Sequence, residues 1–290
     1  MEKRLTARKI IKNILPYGIV QIYQNQKRNS PFFFEVHVVE HCNLNCKGCS
    51  HFSCLAKEEY MDVEIFAKDC KRLSRITKNI SRITLLGGEP LLHPKLTAFF
   101  EITRTYFKKQ THVRLITNGV LLGKQSDEFW KSCAKNNISI EISNYPIRID
   151  REQIKILAGK YKVELTCNNN VKSTSDPQVN LMYKIPLDLE GKQSPTEAYA
   201  NCPHPGCITL RDGKIYRCCT MAHIRFFNEH FGTNLYISED DYIDIYDVKK
   251  SSELADFKKG PFPFCRYCKS TEKVYDIKWA RTSKDITEWT

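Results

Sequence analysis

Three cysteines, Cys42, Cys46 and Cys49, fall within the eight residues CNLNCKGC, spaced C-x3-C-x2-C. Clustered thiols of this kind are metal ligands. A [4Fe–4S] cube takes four ligands, normally four thiolates, so three cysteines on one short loop can hold three corners and leave the fourth iron open. An open coordination position marks a metal site that does chemistry. Two alternatives use the same residues. One is a zinc site, which ordinarily draws on paired C-x2-C knuckles; the other is a closed cluster with Cys54 as its fourth ligand.

A second set lies beyond residue 200: Cys202, Cys207, Cys218, Cys219, Cys265 and Cys268. The segment TLRDGKIYRC reads as a hairpin turning at Asp212–Gly213, which lifts Cys218 toward Cys202 and Cys207, and FCRYC adds a C-x2-C pair. Ample ligands imply a closed cluster that carries electrons, with a zinc ribbon as the alternative. Between the two sets lie residues suited to holding a ligand. Gly87 and Gly88 let a backbone approach closely, Pro90 stiffens the exit, and Glu89 can accept from an ammonium group. Asn118 in ITNG and Ser143 stand at the ends of two further strand-like runs, with Glu141 as an alternative to Ser143 on the same strand face.

The elements that must position these groups alternate. Phe32–Val39, Arg82–Leu86, Val113–Thr117, Ile138–Ser143 and Lys162–Cys167 read as strands. Helical periodicity separates them: Phe66, Cys70, Leu73 and Ile76; Leu96, Phe100, Thr103 and Phe107; a helix capped by Ser126; and one capped by Asp150 with Gly159 as its stop. Such alternation predicts parallel strands and right-handed crossovers, in a barrel or an open doubly wound sheet. In barrels, functional groups collect at the carboxyl ends of strands, where the cysteine triple, Gly87–Pro90, Asn118 and Ser143 all lie. Regularity fades after residue 168, with one more strand expected at Val179–Ile185, and a boundary is expected near 190. Cys70 and Cys133 fall on apolar helix faces and belong to the core. The run SEDDYIDIYD near 238–247 reads as a solvated loop and helix start.

Composition narrows the classes. The chain has 290 residues, 41% of them hydrophobic, and a formal charge of +12. No apolar run reaches eighteen residues, so no spanning helix is expected. Thirteen cysteines, an odd number, do not suit a secreted disulfide framework and point to a reducing, cytoplasmic setting. Seven basic residues against one acidic one in the first thirty predict a basic helical extension, 1–30, able to touch anionic lipid or an acidic partner. No nucleic-acid-binding signature is present.

CNLNCKGCS followed by GGEPLLHP resembles the radical S-adenosylmethionine (SAM) superfamily over about residues 31–270. The resemblance implies a partial (β/α)6 TIM-like barrel, 31–190, and a small C-terminal cysteine-rich domain, 191–290, similar to the twitch or SPASM appendages that hold an auxiliary [4Fe–4S] cluster. It implies that Cys42, Cys46 and Cys49 ligate a [4Fe–4S] cluster whose open iron chelates SAM. One electron then releases a 5′-deoxyadenosyl radical. Gly87, Gly88, Glu89 and Pro90 match the family's SAM-amino motif, and Asn118 and Ser143 match its ribose and carboxylate contacts. Ligands for the auxiliary cluster come from Cys202, Cys207, Cys218, Cys265 and Cys268. A thiol at the barrel mouth, Cys54 or Cys167, could exchange a hydrogen atom with a radical; the alternative is a buried spectator.

The chain departs from the family at Gly48, where an aromatic residue usually precedes the third cysteine; His51 or Phe52 is the candidate replacement beside the adenine. An electron donor such as flavodoxin or ferredoxin is implied. LPYGIVQIYQ, HCNLNCKGCSHFS and PFPFCRYC resemble radical SAM proteins of bacterial surface-polysaccharide and sugar-modification pathways, which implies a carbohydrate or nucleotide-sugar substrate undergoing dehydrogenation, epimerisation or dehydration. The alternatives are a peptide-modifying radical SAM enzyme and a non-catalytic metal-binding interaction protein. The resemblance identifies no individual catalytic side chain.

Overall fold

The computed structural model describes residues 32–77, 80–168, 182–204, 207–257 and 260–290. The basic segment 1–30 and residues 179–181 of the strand expected at Val179–Ile185 lie outside these residues.

The first strand, β1 (Phe32–Val39), shows why a sheet forms here. Phe34, Val36 and Val38 are fully buried against the helical layer, while the alternate residues Glu35 and His37 face the other way. Parallel pairing continues through β2 (Ile80–Gly87), β3 (His112–Thr117), β4 (Ile138–Ser143) and β5 (Leu165–Asn168). Between them run α1 (Val63–Ile76), α2 (Leu96–Tyr106), α3 (Asp127–Lys135) and α4 (Arg151–Tyr161). Their apolar faces close over the sheet through Phe66, Phe99, Phe100 and Trp130, all completely buried. Full burial of such a side chain contributes about 1.5–3 kcal/mol. Cys70 and Cys133 belong to this core, as their helical positions imply.

Local signals set the helix ends. Asp62 accepts from the amides of Glu64 and Ile65 at 2.7 and 3.0 Å, Ser126 from Phe129 at 3.3 Å, and Asp150 from Gln153 at 2.9 Å. Gly159 does not stop α4. The helix runs two residues further and ends where Lys162 takes a left-handed conformation, φ 55°. Backbone geometry at the terminus, rather than the glycine, makes the break.

The sheet also crosses the expected domain boundary. After the short α5 (Pro195–Ala200), β7 (Thr209–Arg211) pairs in parallel with β1, giving strand order β5-β4-β3-β2-β1-β7-β8-β9. Six parallel strands therefore make the partial barrel, and the sixth comes from the cysteine-rich part. The expected hairpin is present: β8 (Lys214–Tyr216) returns through Asp212 and Gly213, φ 50° and 72°, the pair of positive φ values that a two-residue hairpin turn uses. β9 (Tyr242–Asp244) adds to β8, and β6 (Met182–Lys184) pairs with β10 (Val274–Ile277) in a separate ribbon.

The acidic run is not simply solvated. Asp241 is fully buried and accepts from the amides of Phe264 and Ser238 at 2.7 and 2.8 Å, which ties it to the FCRYC turn. A second core joins Phe52 and Cys54 from the cysteine loop to Phe226 and Phe227 of α6 (Cys219–Phe231) and to Trp289. The last described helix is α7 (Ser251–Phe257). Among the described residues, no helix is long and apolar enough to cross a membrane.

Candidate active site

The loop that leaves β1 carries Cys42, Cys46 and Cys49 at the carboxyl end of the sheet. It borders an open cavity at the mouth of the sheet. All three cysteines line it, with Gly87, Gly88, Asn118 and Ser143 opposite. Burial pushes the Cys42 thiol up to about 12 and Cys46 to about 11. Ionising three buried thiols side by side requires positive charge among them, which a metal cluster provides. The donor set thus fits an iron–sulfur cluster. The sulfurs are not drawn to the spacing of a single ion's ligands, roughly 3.8 Å for tetrahedral zinc. Among the described residues, no three cysteine sulfurs lie within 4.8 Å of one another.

The glycines bring backbones together. A Cβ on Gly88 would sit 2.0 Å from the His41 carbonyl oxygen, and one on Gly87 2.1 Å from that of Val39. The bare backbones let β2 lie against the cysteine loop. Glu89 and Pro90 do not line the cavity; both are buried behind it. The Glu89 carboxylate accepts from the Thr117 hydroxyl at 2.6 Å and from the amides of Asn118 and Leu91 at 2.9 and 3.1 Å. Burial raises its pKa to about 7, against the pull of those donors. Glu89 therefore shapes the end of β3, where Asn118 donates to Asn43 at 2.7 Å, beside Cys42.

His51 lines the cavity, whereas Phe52 turns into the second core. Glu141 is committed to Arg114 at 2.6 Å and is not part of the wall. Of the two remaining thiols, Cys54 lines the cavity and Cys167 is exposed.

Three aromatic residues went unread in the sequence. Tyr145 lines the cavity and hydrogen-bonds Cys46. Trp279 donates its indole N–H to the Cys46 sulfur at 3.1 Å, and Trp289 donates to the Cys49 carbonyl at 2.9 Å. The C-terminal segment is thus strapped across the cysteine loop, with Lys47 donating to Ala280 at 2.8 Å and Thr282 to Asn45 at 2.9 Å. Gly48 lies under the strap. Its φ is 62°, and a Cβ there would meet the Glu288 carbonyl at 3.0 Å.

The second cysteine set gathers where β8 meets α6. Cys218, Cys202 and Cys265 are the charged neighbours of Cys268, and Cys218 and Cys202 those of Cys265; burial raises both thiols. Cys218 is the N-cap of α6. A hydrogen bond from Cys219 and the amides of Met221 and Thr220 lower its pKa to about 6 against burial. Cys207 is occupied differently, donating to Glu35 at 3.3 Å and bonding with Cys219.

Below the cavity, the strand faces that carry Leu86, Ile116 and Ser143 into it continue as Thr84, Arg114 and Glu141. Arg114 donates to Thr84 at 3.0 Å, and Arg82, Arg114 and Glu141 all act electrostatically on Glu35. The concave face of the sheet is polar.

Parallel β/α units thus present three cysteines and a cavity at the mouth of a partial barrel. Residues 36–165 match the family model described as the Radical SAM superfamily. These residues carry a Radical SAM superfamily domain, a family whose cofactors are a [4Fe–4S] cluster and SAM. The chain is 33% identical over 116 residues to the GTP 3′,8-cyclase of Aliarcobacter butzleri, covering 39% of this chain and 35% of that protein. To the GTP 3′,8-cyclase of Campylobacter jejuni subsp. doylei it is 26% identical over 233 residues, covering 77% and 65% respectively. The chain thus spans between about a third and two thirds of the length of these relatives. A solved structure, BtrN in complex with AdoMet and 2-DOIA, superposes with a TM-score of 0.48 and 17% identity, covering 81% of this chain and 92% of that one.

Proposed function

We propose that the enzyme removes a hydrogen atom from a sugar-bearing small molecule, a carbohydrate or nucleotide sugar, leading to dehydrogenation, epimerisation or dehydration. Cys42, Cys46 and Cys49 hold the [4Fe–4S] cluster. When bound, that cluster supplies the electron that cleaves SAM to methionine and a 5′-deoxyadenosyl radical. Gly87, Gly88, Asn118 and Ser143 form the SAM wall; Glu89 and Pro90 hold that wall in shape from behind. His51 is the side chain placed to serve the adenine in lieu of an aromatic residue at Gly48.

The observation that carries the substrate class is the polar concave face. Glu35, Arg82, Thr84, Arg114 and Glu141 lie deeper on the barrel face than Leu86, Ile116 and Ser143, a polar, mutually paired layer beneath the cavity lining. A molecule rich in hydroxyl groups, or one bearing phosphate, makes use of such a surface. The relatives named for GTP are consistent with a sugar-bearing nucleotide. We further assign Cys202, Cys218, Cys265 and Cys268 to a twitch-like auxiliary [4Fe–4S] cluster, leaving Cys207 with Glu35. An external one-electron donor such as flavodoxin or ferredoxin completes the system.

The test is isotope transfer. Reduced enzyme is incubated with SAM and with nucleotide sugars, free sugars or GTP deuterated on the sugar ring, and 5′-deoxyadenosine is analysed by mass spectrometry. Deuterium in the 5′-deoxyadenosine supports the assignment. SAM cleavage with no deuterium from any sugar, and transfer from a peptide instead, would overturn it.

A further inference from the structure

Behind His51, three buried side chains converge that neither cysteine set uses: His37 in β1, Glu40 just beyond its end, and His223 in α6. Their relative exposures are 5%, 5% and 0%. His223 Nδ1 lies 3.1 Å, and His37 Nδ1 3.5 Å, from the same carboxylate oxygen, Glu40 Oε2. The two imidazoles stack with centroids 3.7 Å apart, and one ligand atom from each residue lies within 4.8 Å of the others.

His37 Nδ1, Glu40 Oε2 and His223 Nε2 are buried with no well-aligned hydrogen bond, although both imidazoles lie in ion-pair range of the carboxylate. One buried orphan is uncommon, and three in a single contact group, one of them on a carboxylate, carry a large desolvation cost. A cation between one ligand atom of each residue would meet the buried donors of His37 and Glu40, with His223 as the third ligand.

We propose that His37, Glu40 and His223 form a binding site for one divalent first-row transition-metal ion, separate from both sets of cysteines. Two imidazoles and one carboxylate suit Fe²⁺, Mn²⁺ or Zn²⁺, and three protein ligands leave coordination positions open. Charges around the trio indicate what fills them. Arg211 is 3.5 Å from the other Glu40 oxygen, 3.3 Å from His223 Nδ1 and 3.5 Å from Glu59, which also pairs with Arg225. Glu40, Glu59 and Asp212 stand against the two arginines, so a divalent ion leaves one net positive charge that an anionic oxygen ligand offsets. His51 touches both places: its ring centroid is 4.4 Å from that of His37, and it lines the cavity. The ligand class is therefore a hydroxylate, carboxylate or phosphate oxygen of a small molecule. The site stands independently of the sugar reading.

Mn²⁺ alone is the probe, because thiolates compete for it poorly. Full-length protein with its iron–sulfur content restored is equilibrated anaerobically with Mn²⁺, and bound manganese is measured by electron paramagnetic resonance. The expected result is one Mn²⁺ per chain, with spin-echo modulation from two imidazole nitrogens. Binding should weaken at least about tenfold in His37→Gln, Glu40→Gln and His223→Gln, a floor set by the loss seen for groups that merely support a ligand. Cys46→Ala should bind Mn²⁺ as wild type does. No bound Mn²⁺, bound Mn²⁺ without nitrogen coupling, or equal binding by the glutamine variants at unchanged iron content would overturn the proposal. The nitrogen coupling is read on wild-type protein, so the test survives a variant that fails to fold.

Discussion

Replacing Trp279 by Phe keeps the bulk of the strap but removes its one hydrogen bond to a cluster-ligating sulfur. The indole N–H lies 3.1 Å from the Cys46 sulfur, which is 8% exposed and also bonded by Tyr145. A hydrogen bond to a charged group contributes about 1.5–3 kcal/mol. Adding an electron to the cluster makes its thiolates better acceptors, so part of that energy stabilises the reduced form alone. Taking that part as about 1 kcal/mol gives roughly 40 mV for a one-electron couple. The reduction potential of the SAM-binding cluster in Trp279→Phe should therefore fall by about 40 mV. The assay is a potentiometric titration of the reduced cluster's paramagnetic signal, following the component that changes when SAM is added. An unchanged or raised potential at wild-type iron content would refute the reasoning.

Other sites give sharper structural outcomes. Gly88→Ala places a methyl 2.0 Å from the His41 carbonyl, so β2 must part from the cysteine loop; iron at the first cluster should fall severalfold, measured against total protein. Glu89→Gln tests burial of a carboxyl group. A rise from 4.5 to about 7 means the folded chain keeps a proton that the unfolded chain releases near 4.5, so wild type is most stable below that pH. Between pH 4.5 and 8 the cluster-free wild type should lose ~3 kcal/mol relative to Glu89→Gln, read from urea unfolding; a difference independent of pH would contradict this. Asp241→Ala strips the Phe264 and Ser238 amides of their acceptor, which costs about 2–5 kcal/mol. It should halve iron content by releasing the Cys265–Cys268 turn, while SAM cleavage at the first site persists.

The first five parallel strands, their helices and the cavity wall were legible because each rests on local signals: β-branched and aromatic residues in FFFEVHVV, caps at Ser126 and Asp150, and glycines at strand ends. What escaped was long-range. β7 pairs with β1 across more than 170 residues of sequence, so the expected boundary near 190 divides a continuous sheet. Trp279 and Trp289 have no motif of their own, and only chain return places them on the cysteine loop. Glu89 was read correctly as an acceptor but its donors, Thr117 and Asn118, lie on the next strand and turn it away from the cavity. Asp241 sits in a run whose charge suggests solvent, yet folding buries it under Phe264.

The central claim is that Cys42, Cys46 and Cys49 hold a cluster that cleaves SAM. Its most direct test is 5′-deoxyadenosine formation from SAM under reductant, with iron counted in the same anaerobic samples of wild type and Cys46→Ala. About eight irons per chain, about four in the variant, and 5′-deoxyadenosine from wild type alone are the results expected for two [4Fe–4S] clusters. Fully loaded wild type that forms no 5′-deoxyadenosine, or a variant that forms as much as wild type, would contradict the claim.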